Sequence, residues 1–365
     1  MSTGSLKKIL ALASEQNASD IHIKPDSYVV FRISGVLVDC DFVTENDCVR
    51  QFVNTIANDD QLQVCNKTGD VDLSYVAKGI GRFRVNIHKQ RGGLAINMRL
   101  VKSEILNFDQ LGLPSQIAKI PQFERGIVFV TGTTGSGKST TLAAIIEYIN
   151  THYRKHIITV EDPIEYEFSD KKSFIEQREV GLDTVSFDSA FVHSLRQDPD
   201  IIVIGEMRSR DSFDAALKAA DSGHLIFSTL HTLNASQSIN RILDFYDASE
   251  HKGILSSLSS SLASIVSQRL IPKVAKKGVV PAVEILLNTP VVENILKENK
   301  LSKLAPAIEN SRNEGMQSFN QALVDLVNQK VISEKEAIKF ATNPEALKMQ
   351  LKGVFLGSEN KILGS

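Results

Sequence analysis

The sequence predicts an α/β protein: a small α+β domain over residues 1–107, a doubly wound parallel-sheet core over 112–289, and a helical C-terminal subdomain over 290–365. Three observations predict it. Strand segments in the first hundred residues alternate apolar and polar side chains, the period of strands with one buried face. Beyond residue 112 the apolar residues come in short continuous runs separated by helix-like stretches, which suits strands covered on both faces. From Pro290 onward the chain is charged and its apolar spacing helical. At roughly 150 residues per domain, 365 residues give two domains or slightly more.

In the first domain Leu6, Ile9, Leu10 and Ala13 have the spacing of a helix over 5–16 with one buried stripe. Ile21 and Ile23 alternate with His22 and Lys24. Val29, Val30, Phe31, Ile33, Val36 and Val38 continue as a β-rich stretch broken at Ser34-Gly35, a hairpin turn. Glu45–Asn66 reads as one polar helical stretch. Alternation returns in Val71–Val76, Phe83–Ile87 and Leu94–Leu100, separated by turn signals at Lys78-Gly79 and Gly92-Gly93. Helices on an antiparallel sheet follow. Gly112 and Pro114 break the chain at the boundary Asn107–Pro114.

In the core, Gly126–Val130, His156–Val160, Ile201–Ile204 and Leu225–Thr229 are the expected strands. In the C-terminal subdomain Val292, Ile295, Leu296, Leu323 and Leu326 supply the apolar spacing.

Composition excludes several classes. A net charge of −2 argues against a general electrostatic grip on nucleic acid or anionic lipid, so no nucleic-acid partner is expected. No apolar run approaches the eighteen or so residues of a membrane span, and no membrane insertion is expected. Lys7 and Lys8 precede Ile9–Ala13, but Glu15 cuts that run short of a signal sequence. Cys40, Cys48 and Cys65 form no CxxC pair, hence neither a disulfide framework nor a thiolate zinc site. The expected compartment is the cytoplasm.

Gly132-Thr133-Thr134-Gly135-Ser136-Gly137-Lys138-Ser139 fits GxxxxGK[ST] at every fixed position, with an apolar strand before it and a helix, Thr140–Ile149, after it. Glycines let successive backbone N–H groups turn inward on phosphate oxygens, and the helix N-terminus adds its partial positive charge. Lys138 supplies a point charge to the β- and γ-phosphates, and Ser139 a hydroxyl ligand for Mg²⁺. ATP with Mg²⁺ is the expected ligand pair.

Asp198–Glu206 is a buried strand ending in a carboxylate, with Gly205 where many such enzymes place a Mg²⁺-binding Asp. Glu206 then reaches the metal through water or acts on the attacking water. A second acidic cluster, Glu161-Asp162-Pro163-Ile164-Glu165, follows the strand His156–Val160. Parallel strands end on one edge, so both clusters are expected at the γ-phosphate. His224 and His231 flank a third strand; six intervening residues and no cysteine partner make a poor zinc pair. His231 follows its strand and is placed to sense the γ-phosphate, whereas His224 precedes it and could equally be structural. Lys273, Lys276 and Lys277 read as a solvated basic loop.

Gly132–Ser139, Glu161–Glu165, Asp198–Glu206 and Gly223–Thr232 stand in the order and spacing found in the secretion-type ATPases of type II secretion and type IV pili. Ala18–His22, Gly81–Asn86, Gln177–Gly181 and Gly315–Gln317 resemble the pilus retraction branch, PilT and PilU. The lack of paired cysteines and of a long N-terminal extension favours retraction over the extension and secretion motors. Val291-Val292-Glu293-Asn294-Ile295 stands where PilT carries Ala-Ile-Arg-Asn-Leu, with an acid for its arginine. Gly315–Phe319, Arg208-Ser209-Arg210 and Lys171-Lys172-Ser173 lean towards PilU.

The resemblance implies a PAS-like N-terminal domain, a RecA-like ATPase core and a homo-hexameric ring. It implies cytoplasmic work at the inner-membrane base of the pilus, with a platform protein and a paralogous retraction ATPase as partners. An extension or secretion ATPase, or a catalytically weak accessory subunit, is the alternative; a small-molecule kinase would need an acceptor pocket and lid that the sequence does not show. In a ring, Arg82 and Arg84, two apart on one strand and so on one face, are candidates to reach a neighbour's phosphate loop, with Arg99 beside them. Arg178, Arg196 and Arg208 are the other arginine candidates.

Overall fold

The computed structural model describes residues 2–101, 104–274 and 278–353. The chain divides into two units. The first takes residues up to Glu104 together with Asp162–Ser169 and Glu179–Val185, and the second takes Ile105–Glu161, Asp170–Arg178 and the chain from Ser186 on. The two later segments belonging to the first unit give no sign in the sequence of where they go.

In the first unit, α1 (Ser2–Glu15), α2 (Asn46–Ile56) and α3 (Asp59–Thr68) accompany six strands. These are β1 (Asp20–Ile23), β2 (Ser27–Ile33), β3 (Val36–Thr44), β4 (Asp70–Ala77), β5 (Gly81–Gln90) and β6 (Gly93–Leu100), in the antiparallel order β3-β2-β1-β6-β5-β4. Ser34 (φ 50°) and Gly35 (φ 85°) make the two-residue turn that pairs Ile33 with Val36, a twist matched to hairpin strands. The single helix expected over Glu45–Asn66 is two helices. Ala57 is extended, and Asn58 starts a new helix by accepting from the Gln61 N–H at 2.9 Å while its own N–H donates to Gln61 Oε1 at 3.0 Å. Leu6, Leu10, Phe31, Phe52, Phe83, Val85 and Met98 fill the core between helices and sheet.

The second unit opens with α4 (Phe108–Leu111) and runs through β7 (Gly126–Thr131), α5 (Lys138–His152), β8 (His156–Glu161), β9 (Phe174–Glu179), α6 (Phe187–Ser194) and β10 (Ile201–Ile204). It continues with α7 (Arg210–Asp221), β11 (Leu225–Leu230), α8 (Ala235–Leu243), α9 (His251–Ser261), β12 (Leu262–Pro272) and β13 (Val279–Leu287). The sheet order is β13-β12-β7-β11-β10-β8-β9. From β12 to β8 every pairing is parallel, and β13 runs antiparallel to β12. β7 and β11 are buried at every position, which explains why neither alternates apolar and charged side chains. The four expected strands are joined by β9, β12 and β13. β13 contains Pro281, tolerated because the strand lies at the sheet edge.

Among the described residues five α-helices follow: α10 (Pro290–Lys297), α11 (Leu304–Asn310), α12 (Phe319–Asn328), α13 (Glu334–Phe340) and α14 (Pro344–Leu351). Phe319, Leu323, Ala337 and Leu347 from this group bury against Ile271, Val280 and Ala282 of the β12–β13 hairpin. Lys276, Lys277 and residues 354–365 lie outside the described residues.

Candidate active site

The phosphate loop leaves β7 at Thr131 and enters α5 at Lys138. Gly132 (φ 150°), Gly135 (φ 77°) and Gly137 (φ 87°) adopt backbone angles that L side chains rarely take. A Cβ on Gly132 would also stand 2.6 Å from the Gln268 carbonyl oxygen. Lys138 is buried, and its Nζ donates to the carbonyls of Gly132 (2.9 Å) and Thr133 (3.1 Å), across the mouth of the loop. Thr133, Thr134 and Gly135 are exposed, Ser136 is buried, and Ser139 and Thr140 are half-buried in the first turn of α5. The positive end of a 15-residue helix thus meets the cradle.

Register fixes the neighbours of this loop. Leu230 pairs with Thr131, Ile204 with Ser228, and Val160 with Ile204. The carboxyl ends of β7, β11, β10 and β8 therefore share an edge, and carry the phosphate loop, His231, Glu206 and Glu161 in that order. Glu206 accepts from Arg208 Nη2 at 2.6 Å, and His231 Nε2 lies 3.6 Å from the same carboxylate oxygen. Burial works to raise the Glu206 carboxyl. The hydrogen bond and charge of Arg208, with the charges of His231 and Lys138, outweigh it and hold the group below the usual glutamate range. Glu161 accepts from the Thr159 hydroxyl at 2.7 Å and from Gln177 Nε2 at 3.0 Å, which orients it. Gly205 has a local reason: a Cβ there would meet the Val160 carbonyl at 3.3 Å and the Phe187 ring at 3.4 Å, leaving an aspartate little room.

Other expected residues lie elsewhere. His224 sits at the amino end of β11, where its Nδ1 is 3.0 Å from Ser222 Oγ and 3.1 Å from the Ala219 carbonyl. It braces the end of α7 and is not on the edge that carries the loop, a correction to its place among the catalytic candidates. Arg196 is exposed in the turn ahead of β10, at the amino end of that strand, so it too is off this edge. Arg178 is half-buried near the end of β9. Glu165 belongs to the first unit, so the acidic cluster is divided between the two units.

Arg82, Arg84 and Arg99 do share the outer face of the first unit's sheet, with Arg84 directly opposite Arg99. They are not equivalent. Arg82 donates to Glu179 Oε2 at 2.8 Å inside the first unit, and Ser74 donates to the other oxygen of that carboxylate at 2.6 Å. With side-chain exposures of 13% and 6%, Arg82 and Glu179 form a buried pair, and Arg82 is committed to it in this structure. Arg99 is paired with Asp20 at 2.8 Å. Arg84 is exposed and has no hydrogen bond or ion pair among the described residues.

The sequence reading missed Gln268, whose side-chain amide touches the phosphate loop from β12. Its only signal is its place in β12, a strand that the apolar pattern of the sequence does not mark.

The profile of the Type II/IV secretion system protein family matches residues 3–353. The chain belongs to that family. This secretion-family chain is 38% identical over 341 residues to the type IV pilus retractation ATPase PilT of Pseudomonas aeruginosa, covering 93% of this chain and 99% of that one. It is 37% identical over 355 residues to the type IV pilus ATPase PilU of the same organism, covering 97% and 92%. The crystal structure of the pilus retraction motor PilT with bound ADP matches it with a TM-score of 0.87 at 39% identity, covering 94% of this chain and 98% of that one. The expected α/β class and retraction-family resemblance hold; 38% against 37% identity does not separate PilT from PilU.

Proposed function

We propose that the protein is an ATP-hydrolysing motor for type IV pilus retraction and twitching motility. One observation carries the reading: the phosphate loop, His231, Glu206 and Glu161 emerge along one sheet edge of a chain similar to PilT over nearly its whole length. In this reading Gly132–Thr140 hold the ATP phosphates, and Lys138 opposes the charge of the β- and γ-phosphates. Ser139 would hold Mg²⁺, with Glu206 acting on it through water. Among the described residues no cluster of three His, Cys, Asp or Glu side chains exists to hold a metal by itself, which suits an ion shared with phosphate oxygens. When bound, that ion neutralises charge on the transferring phosphoryl group. Glu206, held ionised, is ready to accept a hydrogen bond or proton from the attacking water. His231 positions the Glu206 carboxylate.

The working form is a homo-hexamer in which the outer sheet face of one subunit presents Arg84 to the loop of the next, Arg82 and Arg99 supporting it. An arginine supplied in this way raises turnover by about 10³–10⁵. Support comes from Arg84 itself, an exposed cation with no hydrogen bond or ion pair among the described residues, whereas Arg99 opposite it is held by Asp20. The ring works in the cytoplasm at the inner-membrane base of the pilus, with a platform protein and a paralogous ATPase as partners. No described helix is long and apolar enough to cross a membrane. Glu293 in α10, standing where PilT carries an arginine, favours a PilU-like accessory role.

The test is twofold: ATP hydrolysis by the purified chain, alone and with a paralogous ring, and twitching of a strain whose own copy is deleted. Hydrolysis that depends on Lys138, together with loss of twitching on deletion, is expected. Hydrolysis with intact twitching would move the protein to another machine of the family.

A further inference from the structure

Gln268 occupies β12 with 3% of its surface exposed, and both ends of its amide are used. Nε2 donates to the Ser136 carbonyl in the phosphate loop at 2.7 Å, and Oε1 accepts from Thr141 Oγ1 in the first turn of α5 at 2.7 Å. The orientation is forced, because a backbone carbonyl can only accept and so must face the NH₂ group. The loop is pressed onto this residue as well. A Cβ on Gly132 would stand 2.6 Å from the Gln268 carbonyl oxygen, and one on Gly137 would stand 2.7 Å from its Nε2. Two of the three left-handed glycines are therefore also required by the approach of Gln268. The strand is held from its opposite face, since the next residue, Arg269, donates to the Phe340 carbonyl at 2.6 Å and lies 3.9 Å over the Phe319 ring.

We infer that Gln268 is a positioning residue for nucleotide binding: its amide fastens the phosphate loop to the first turn of α5, so that the loop N–H groups and Lys138 converge. The inference rests on the nucleotide site proposed above. Without the NH₂ donor, Ser136 keeps a buried carbonyl with its partner removed, and the loop relaxes outward to hydrate it.

The experiment titrates a fluorescent ADP analogue with Mg²⁺ into the purified full chain, its Gln268→Glu variant and its Thr141→Val variant. In Gln268→Glu at pH 8 a carboxylate faces the Ser136 carbonyl, and affinity should fall about 10- to 100-fold. Protonation turns that group into an O–H donor, so the ratio of variant to wild-type affinity should recover as pH falls towards 6. A general packing defect has no reason to recover with acid. Thr141→Val removes only the hydroxyl that orients the amide and should weaken binding about threefold; it carries the test if Gln268→Glu does not fold. Wild-type affinity in Gln268→Glu at pH 8, a ratio that does not change with pH, or unaltered affinity in Thr141→Val would overturn the clamp while leaving the nucleotide site in place. A wild-type chain that binds no ADP would overturn the site itself, and the clamp with it.

Discussion

Arg208 Nη2 lies 2.6 Å from Glu206 Oε2, just past the carboxyl end of the buried strand β10. Burial alone would favour protonation of Glu206. The adjacent guanidinium reverses that and keeps the carboxylate charged into mildly acidic solution.

Arg208→Ala should therefore move the acid limb of the kcat profile to higher pH, because the carboxyl of Glu206 rises once its main lowering influence is gone. Activity at pH 8 should change far less than activity on the acid limb. Arg208 is 69% exposed, so thermal stability should shift by no more than about 0.5 kcal/mol. An acid limb that does not move would show that Glu206 ionisation does not limit turnover.

Glu284 on β13 is buried and accepts from the Ala235 N–H, at the start of α8, at 2.8 Å. Burial pushes its carboxyl up to about 7, against the pull of that N–H and of the Arg269 charge. A folded-state value above the unfolded one stabilises the protein at low pH, and the contribution is lost as pH rises from about 4.5 through about 7. Glu284→Gln keeps an acceptor for Ala235 and removes the titration. Its melting temperature relative to wild type should climb between pH 5 and pH 8, by the equivalent of on the order of 2–3 kcal/mol. A difference that stays constant with pH would place the carboxylate in a solvated environment.

Glu293 pairs with Lys297 one helical turn later at 3.4 Å, with side-chain exposures of 38% and 50%. Such a pair contributes about 0.3–0.5 kcal/mol. Glu293→Arg should lower the melting temperature by less than about 3 °C and leave ATP hydrolysis unchanged, with any effect confined to retraction in cells. A larger loss on thermal denaturation would make Glu293 part of the structure rather than of a working surface.

The phosphate loop was legible because Gly132–Ser139 are contiguous and their flanking strand and helix are strongly patterned. His231 and Glu206 were legible because a residue that follows a parallel strand lands on a known edge. Gln268 was not, because it meets Ser136 across 132 residues of sequence, from a strand preceded by the serine-rich stretch Ser256–Ser261 and paired with one containing Pro281. Nor was the difference between Arg82 and Arg84. Period-two alternation puts both on one face, but Glu179, 97 residues away from Arg82, takes that one alone. The break at Ala57 in the helical stretch Glu45–Asn66 is a capping decision, signalled only locally, by Asn58 and Gln61 within a polar helical pattern.

The proposed ring makes a prediction in trans. Lys138→Ala subunits keep Arg84 but lose the working loop, whereas Arg84→Ala subunits keep the loop and lose the cation. Each alone should be nearly inactive, and co-assembled rings should regain measurable hydrolysis, because the first kind can serve the second. Arg82→Ala is the poorer variant for this purpose, since it also strands the buried Glu179 carboxylate and should destabilise the first unit. Inactive mixed rings with subunit exchange demonstrated would mean that Arg84 does not act across an interface.

Most direct is a paired measurement on Glu206→Ala: ATP affinity by titration and phosphate release at saturating ATP. A group needed chiefly in the transition state changes kcat far more than binding. Affinity should stay within about threefold of wild type while turnover falls by about 10² or more. Wild-type turnover in that variant, or lost binding with normal turnover of the bound fraction, would contradict an active site at the carboxyl end of β10.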